Sequence, residues 1–423
     1  MKNSLTVLYK NGLGIHSVLS DDKENFEIVA GEGCFRRVFY LTILGAAAGI
    51  VTVVVGMALS WLIRLITHLT FFGELTAEAR LLAESEAGSW LLLIPVVGAA
   101  LSLLLLLRNR NPVLKLPALA VNIGTGAPVG VEGPVMLIAG AVAIQGQRKL
   151  RIDRPEANLL LVAGAAAGVA WYFGAPVSAL LLTLELWLSS WTLLTLLPVL
   201  AAILVGGLAH YGFRDMQPFF TMAPGPELNG PALLTYLILG LIIGLMAAGI
   251  VRSSRGLTRV AERLRRHSPW WLLLAAVPAG VLGYLAPESL GNGEAYGSDL
   301  LHAHVTLQLL FVAGVVKLIA WLFFTAGNNT GTTITPLLIM GGAIGMLLAV
   351  LALGICPGVV ISPVMAALIG MGALFAGVTR AWLTAIILML ELTHCLPAVL
   401  PVAGAVTMAF LISWPLIKTR RIA

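Results

Sequence analysis

"GAAAGVAWYFGAPVSALLLTLELW" occupies residues 164–187, and residues 370–393 read "GMGALFAGVTRAWLTAIILMLELT". Without gaps, Gly164 falls on Gly370, Ala179 on Ala385, and Leu184-Glu185-Leu186 on Leu390-Glu391-Leu392, an offset of 206. Upstream, "PVMLIAGA" from Pro134 meets "PLLIMGGA" from Pro336 at an offset of 202. Both pairs follow a Gly/Thr-rich break. Two matches in the same order at nearly one offset exceed what apolar composition yields. The chain therefore reads as two related halves, 35–215 and 231–417, joined by a Pro- and Gly-rich extramembrane linker at 216–230. Repeated halves with helices interrupted in corresponding places point to a transport site between the repeats.

Composition agrees. Of 423 residues, 59% are hydrophobic and only 11% charged, with a mean hydropathy of +0.95. A soluble domain carries about 25% charged residues, so the sequence predicts an all-α protein crossing the membrane several times. Runs such as 38–65, 91–107 and 235–250 have no core large enough to hide them otherwise. Basic residues cluster at Arg36-Arg37, Arg108 with Arg110, Arg148 to Arg154, Arg252 to Arg266, and the tail 418–423. The opposite loops hold little beyond Arg80 and Arg214. By the positive-inside rule both ends are cytoplasmic, and the protein sits in a cell (inner or plasma) membrane. The polar segment 1–34 lacks a signal-peptide pattern and reads as a cytoplasmic lead. The basic clusters lack interleaved aromatics, which argues against nucleic-acid binding. Cys34, Cys356 and Cys395 have no metal-ligand spacing, and no metal or cofactor is expected. Trp270-Trp271 reads as an interfacial belt, and His68 and His394 as helix-end residues.

The functional clue lies in "GTGAPVGVEGPVMLIAGA", residues 124–141. Gly130 and Gly133 flank Val131-Glu132, and Pro134 suits the first turn of a new helix. A helix starting near Glu132 aims its unpaired N–H groups and positive dipole end into the break, which makes an anion site without a cationic side chain. The second half supplies a twin, "GNNTGTTITP" at 327–336. Backbone N–H groups around Gly130, Val131, Gly133, Ile334 and Thr335 are the expected anion donors, with the hydroxyls of Thr332, Thr333 and Thr335 beside them. Glu132 is then a tethered competitor: its carboxylate occupies the anion site or swings away when protonated. Ionisable groups at this depth are expensive and usually functional. Segments 117–127, 134–145 and 335–346 look too short or too broken to cross ~30 Å of hydrocarbon.

Four of these stretches, in order, resemble the CLC family of chloride channels and proton/chloride exchangers. "GVEGP" at 130–134 is similar to the family's G-[KR]-E-G-P, and "GAPVSALLLTLEL" at 174–186 to N-A-P-x-A-G-x-x-F-x-x-E-E. "TGTTITPLLIMGGAIG" is similar to G-x-F-x-P-x-x-x-x-G-A-x-x-G, and "LGNGEAYG" at 290–297 to the glycine turn before it. The resemblance covers about residues 37–415. It implies a CLC-type inverted repeat with broken and re-entrant helices, a homodimer with a pore in each subunit, and Glu132 as gating glutamate. The CBS domains of eukaryotic relatives are not expected.

The departures from that pattern are specific. Where the family has its first anion motif, this chain has "RNRNPVLK", 108–115. Val131 replaces the basic residue, Ile334 the aromatic, and Leu396 stands at the pore-tyrosine position. Leu186 stands at the internal proton acceptor, which predicts weak or absent proton coupling. Glu185 is a substitute acceptor one residue away, but a step of one residue turns a helical side chain by about 100°. The repeat pair Glu185 and Glu391 therefore reads first as structural. Lys317 and Arg380 are expected to snorkel or to pair with an acid such as Glu294.

The expected cargo is chloride or another small anion, with protons as the second species in any exchange. A fluoride/proton antiporter of the CLC type and a transport-inactive CLC-like scaffold are the alternatives. Catalytic motifs such as G-x-S-x-G and H-E-x-x-H are absent from the sequence, so no enzyme is expected.

Overall fold

The computed structural model describes residues 34–77, 80–85, 87–108, 116–133, 135, 151–188, 191–214, 217–223, 229–265, 270–327, 333–356 and 358–417. The lead before residue 34, the basic tail and Thr332 lie outside them, as do Arg110, Arg148, Lys149 and Arg266.

Every element among the described residues is helical. They run α1 Cys34–Phe71, α2 Ile94–Arg108, α3 Leu116–Gly124, α4 Arg154–Phe173, α5 Pro176–Leu182 and α6 Leu193–Arg214. After these come α7 Gly230–Arg265, α8 Trp271–Leu285, α9 Tyr296–Leu301, α10 Leu307–Phe311 and α11 Lys317–Gly327. The last four are α12 Ile334–Ile355, α13 Pro363–Thr379, α14 Trp382–Thr393 and α15 Val399–Leu416. A π-helical turn, Thr183–Trp187, extends α5, and another, Val312–Val316, joins α10 to α11. Seven helical stretches are long and apolar enough to cross a membrane. Shorter apolar helices, α5, α13 and α14 among them, fill the interior between these.

The two halves pack alike. In the first, α1 lies against α6 and α4; in the second, α7 lies against α15 and α13. The reason is visible in "LGAAAG" and "LGLIIG", each a small-xxx-small pattern that lets backbones approach. A Cβ at Gly45 would stand 2.3 Å from the Pro198 carbonyl oxygen, and one at Gly49 3.0 Å from that of Ala202. In the second half the same substitution at Gly240 meets the Ala405 oxygen at 2.2 Å, and at Gly244 the Ala409 oxygen at 2.6 Å. Between α12 and α13, Gly341 and Gly345 face the Gly370 and Ala366 carbonyls equally closely.

The innermost helices, α4 and α13, begin and end in matching ways. An Asp153/Glu156 capping box with Pro155 starts α4, and an Ser362 N-cap with Pro363 starts α13. Gly174 ends α4 in the left-handed region at φ 66°, and Arg380, its counterpart at an offset of 206, ends α13 at φ 69°. A non-glycine residue in that conformation needs compensation. Arg380 gains it by donating to the Ile417 carbonyl and by lying over the Trp414 ring, 4.8 Å from its centre.

Two expectations are corrected. Segment 335–346 is not a short broken piece: it lies in α12, 22 residues and about 33 Å long at 1.5 Å per residue, because 347–355 continues apolar without a breaker. Lys317 does not pair with Glu294. It is fully buried, and its Nζ donates to the carbonyls of Ser289 (3.1 Å) and Leu290 (3.0 Å). Glu294 accepts instead from the Tyr172 hydroxyl and from Asn292 Nδ2 at 3.2 Å.

Candidate functional site

The break after α3 is buried throughout residues 124–133, so irregular backbone at membrane depth is enclosed by protein. Gly124 ends α3, and Gly126 turns the chain at φ 89°. The Gly126 carbonyl accepts from Gly291 N–H at 3.0 Å, which ties the break to the glycine turn of the second half. Glu132 and Gly133 are helical, as the sequence predicts; Pro134 itself lies outside the described residues.

Glu132 is 1% exposed, and its side chain reaches across to the second half. Oε1 accepts from the Thr335 backbone N–H at 3.0 Å and from Thr335 Oγ1. Thr335 is the second residue of α12, so the carboxylate sits on the positive end of that 22-residue helix. Thr333, buried at the N-cap, accepts the first backbone bond, from Leu337 N–H, at 3.0 Å. Ile334, also buried, opens the helix. Gly130 completes the pocket. A Cβ there would lie 1.7 Å from Glu132 Oε2, so the carboxylate fits only against a bare Cα. Charge-assisted bonds of this kind are roughly twice as strong as neutral ones. A single carboxylate thus takes up donors at the N-terminus of α12.

A pair of carboxylates caps helix starts elsewhere in the same way. Glu185, in the π turn after α5, accepts from Leu383 N–H (2.8 Å), Thr384 N–H (3.0 Å) and Thr384 Oγ1 (2.6 Å) at the start of α14. Glu391, on α14, accepts from Val177 N–H (2.9 Å), Ser178 N–H (2.7 Å) and Ser178 Oγ at the start of α5. Leu186, one residue from Glu185, is half-buried against the core, and Leu396 is largely exposed at the turn before α15. Neither brings a polar group to the break.

The model of the voltage-gated chloride channel family matches residues 79–414. The chain belongs to the CLC family. It is 31% identical over 310 residues to a ClcB-like protein of Ralstonia nicotianae, covering 70% of each chain. It is 28% identical over 306 residues to the H(+)/Cl(-) exchange transporter ClcA of Vibrio parahaemolyticus, spanning 69% of this chain but 64% of that one. Its fold is shared with a slow cyanobacterial Cl-/H+ antiporter at a TM-score of 0.75 and 20% identity, over 90% of this chain and 95% of the other. A CLC-type fluoride/proton antiporter superposes with a TM-score of 0.66 at 21% identity, over 90% and 96%. The all-helical, multi-pass architecture is thus the CLC fold.

Of the residues singled out in the sequence, the structure brings Glu132 and Thr335 together and places Glu185 and Glu391 at a separate pair of helix starts. The bond between Gly126 and Gly291 that joins the break to the glycine turn was not foreseeable, because its partners lie far apart in the chain.

Proposed function

We propose that this CLC protein transports a small inorganic anion, chloride first, along a path through each subunit of a homodimer. The observation that carries the reading is the buried Glu132 carboxylate seated on the Thr335 N–H and hydroxyl at the start of α12. The donors that hold the carboxylate there can equally be offered to a halide stripped of part of its hydration shell, since a helix N-terminus favours anions in general. Glu132 therefore acts as a competitor and gate, and the anion displaces it when the side chain swings away. In this reading the backbone N–H groups of Gly130, Val131 and Gly133 are the donors from the first half and the Thr333 hydroxyl a further one; Thr332 lies outside the described residues. Halves 35–215 and 231–417, both termini in the cytoplasm and an inner or plasma membrane location belong to the same reading.

Proton exchange is not favoured along the internal route. Leu186 carries no proton, and Glu185 is engaged by three donors at the start of α14. The assay is flux from liposomes reconstituted with the purified protein, with chloride, fluoride and pH recorded together. We expect chloride flux without proton movement against a gradient, and in Glu132→Gln a flux that persists with altered pH gating. Proton movement driven by the anion makes it an exchanger. Preference for fluoride supports the fluoride/proton antiporter, for which hydroxyl donors such as Thr335 are the specific feature. Flux of neither anion leaves the scaffold reading.

A further inference from the structure

Helix α7 passes the ends of α13 and α15 at one level, and guanidinium groups gather there. It runs 36 residues, about 54 Å at 1.5 Å per residue, against a hydrocarbon layer of ~30 Å. Arg252 stands about 33 Å along from Gly230, at the far edge of that layer. Arg255 and Arg259 follow on the same face, at steps of three and four, and carry the stripe through the headgroup layer. Beside it α13 packs closely: a Cβ on Gly377 would stand 2.6 Å from that of Ala247, and the helix ends at Arg380. The end of α15 is held by both. Arg252 donates to the Leu416 carbonyl at 2.9 Å, and Arg380 donates to that of Ile417.

The gathered charges are alike. Arg255 lies close enough to Arg259 and to Arg380 for their charges to repel. The carbonyls of Leu416 and Ile417 satisfy donors but carry no net charge to set against the guanidiniums. Over 252–265, α7 has five arginines and one carboxylate, Glu262. Exposed one turn beyond Arg259, Glu262 offsets at most one of them. Guanidinium forks match phosphate oxygens in pairs, and basic pockets between helices at a membrane surface take anionic headgroups.

We propose that Arg252, Arg255, Arg259 and Arg380 form a binding site for the phosphate headgroup of an anionic membrane phospholipid. Position decides the source of that phosphate. The stripe lies at the level of the lipid phosphates, and Trp414, half-exposed against the Arg380 guanidinium, offers the amphipathic ring that suits a membrane interface. A bound headgroup neutralises the repulsion and ties the ends of α13 and α15 to α7. None of these residues holds Glu132, so the site and the transport reading stand or fall separately.

The test titrates the full-length protein, purified in a neutral detergent, with phosphatidylglycerol and follows its melting temperature. The lipid should raise that temperature in the parent. Arg255→Gln/Arg259→Gln should need roughly thirtyfold more lipid for half the rise, since each arginine near an acidic lipid contributes a factor of about five. Arg255→Lys/Arg259→Lys should keep most of the response, because the charge remains. Arg263→Gln, which removes a charge one turn beyond Arg259, should lose less than either single glutamine variant of the cluster. Should the double variant melt too low to titrate, native mass spectrometry of Arg255→Gln and of Arg259→Gln replaces it, and each should release phosphatidylglycerol that the parent retains. An equal rise with phosphatidylcholine, an equal rise with inorganic phosphate alone, or an undiminished response in the glutamine variants overturns the site.

Discussion

Glu185 and Glu391 each cap the helix that carries the other. The two carboxylates meet equivalent donor sets: two successive backbone N–H groups and one hydroxyl, from Leu383-Thr384 in one case and Val177-Ser178 in the other. Short re-entrant helices have few other ways to satisfy their first N–H groups in hydrocarbon. Glu185→Gln and Glu391→Gln should each lose about 1–3 kcal/mol, since the amide turns a donor toward donors. A fall of a few degrees in the melting temperature in detergent, similar for both, is the expected result. If Glu185 instead relays protons, its variant keeps its stability and loses proton movement.

Thr335→Val separates the two bonds that hold the gate. The backbone N–H survives and the hydroxyl goes, so Glu132 competes less strongly. A charge-assisted bond of about 1.5–3 kcal/mol corresponds to tenfold or more in occupancy. Flux at low chloride should move in the direction of Glu132→Gln and by less. Equal flux in Thr335→Val and the parent would show that the side chain does not hold the gate.

Gly130→Ala tests the other side of the pocket. The new methyl group overlaps Glu132 Oε2, which lies 1.7 Å from the ideal Cβ. Because the obstacle is the end of a side chain, the fold should persist while the carboxylate leaves its seat. Chloride flux should then resemble that of Glu132→Gln. An unchanged flux profile would mean that the gate accommodates the methyl group in place.

Lys317→Met keeps the volume of the side chain and removes the ammonium. The carbonyls of Ser289 and Leu290 lose their donor in a fully buried site, at about 1–3 kcal/mol each. The turn that follows, 290–294, lines a cavity beside Val131. Thermal unfolding should report the loss as a lower melting temperature than that of the parent.

The all-helical membrane class, the family, and a buried Glu132 in a glycine-rich break were legible in the sequence. Each rests on local signals: a gapless match, apolar runs, and glycines around an acid. What was not legible depends on contacts distant in the chain. Lys317 finds carbonyls 27 and 28 residues away, and a lysine in an apolar run gives no hint of which acceptors will surround it. The reach of α12 beyond Met346 was hidden by the glycines at 341, 342 and 345, which mark close packing on α13 and not a helix end.

The exchanged caps also say something about ancestry. A polypeptide made of one half alone would carry a helix start with unfilled donors and, a few residues on, a carboxylate with nothing to bind. It cannot close that gap within itself, because the acid and the donors lie on opposite ends of the same short helix. Two copies placed head to tail close both gaps at once. Inside this one chain the two caps are thus reciprocal: neither helix start is satisfied without the other.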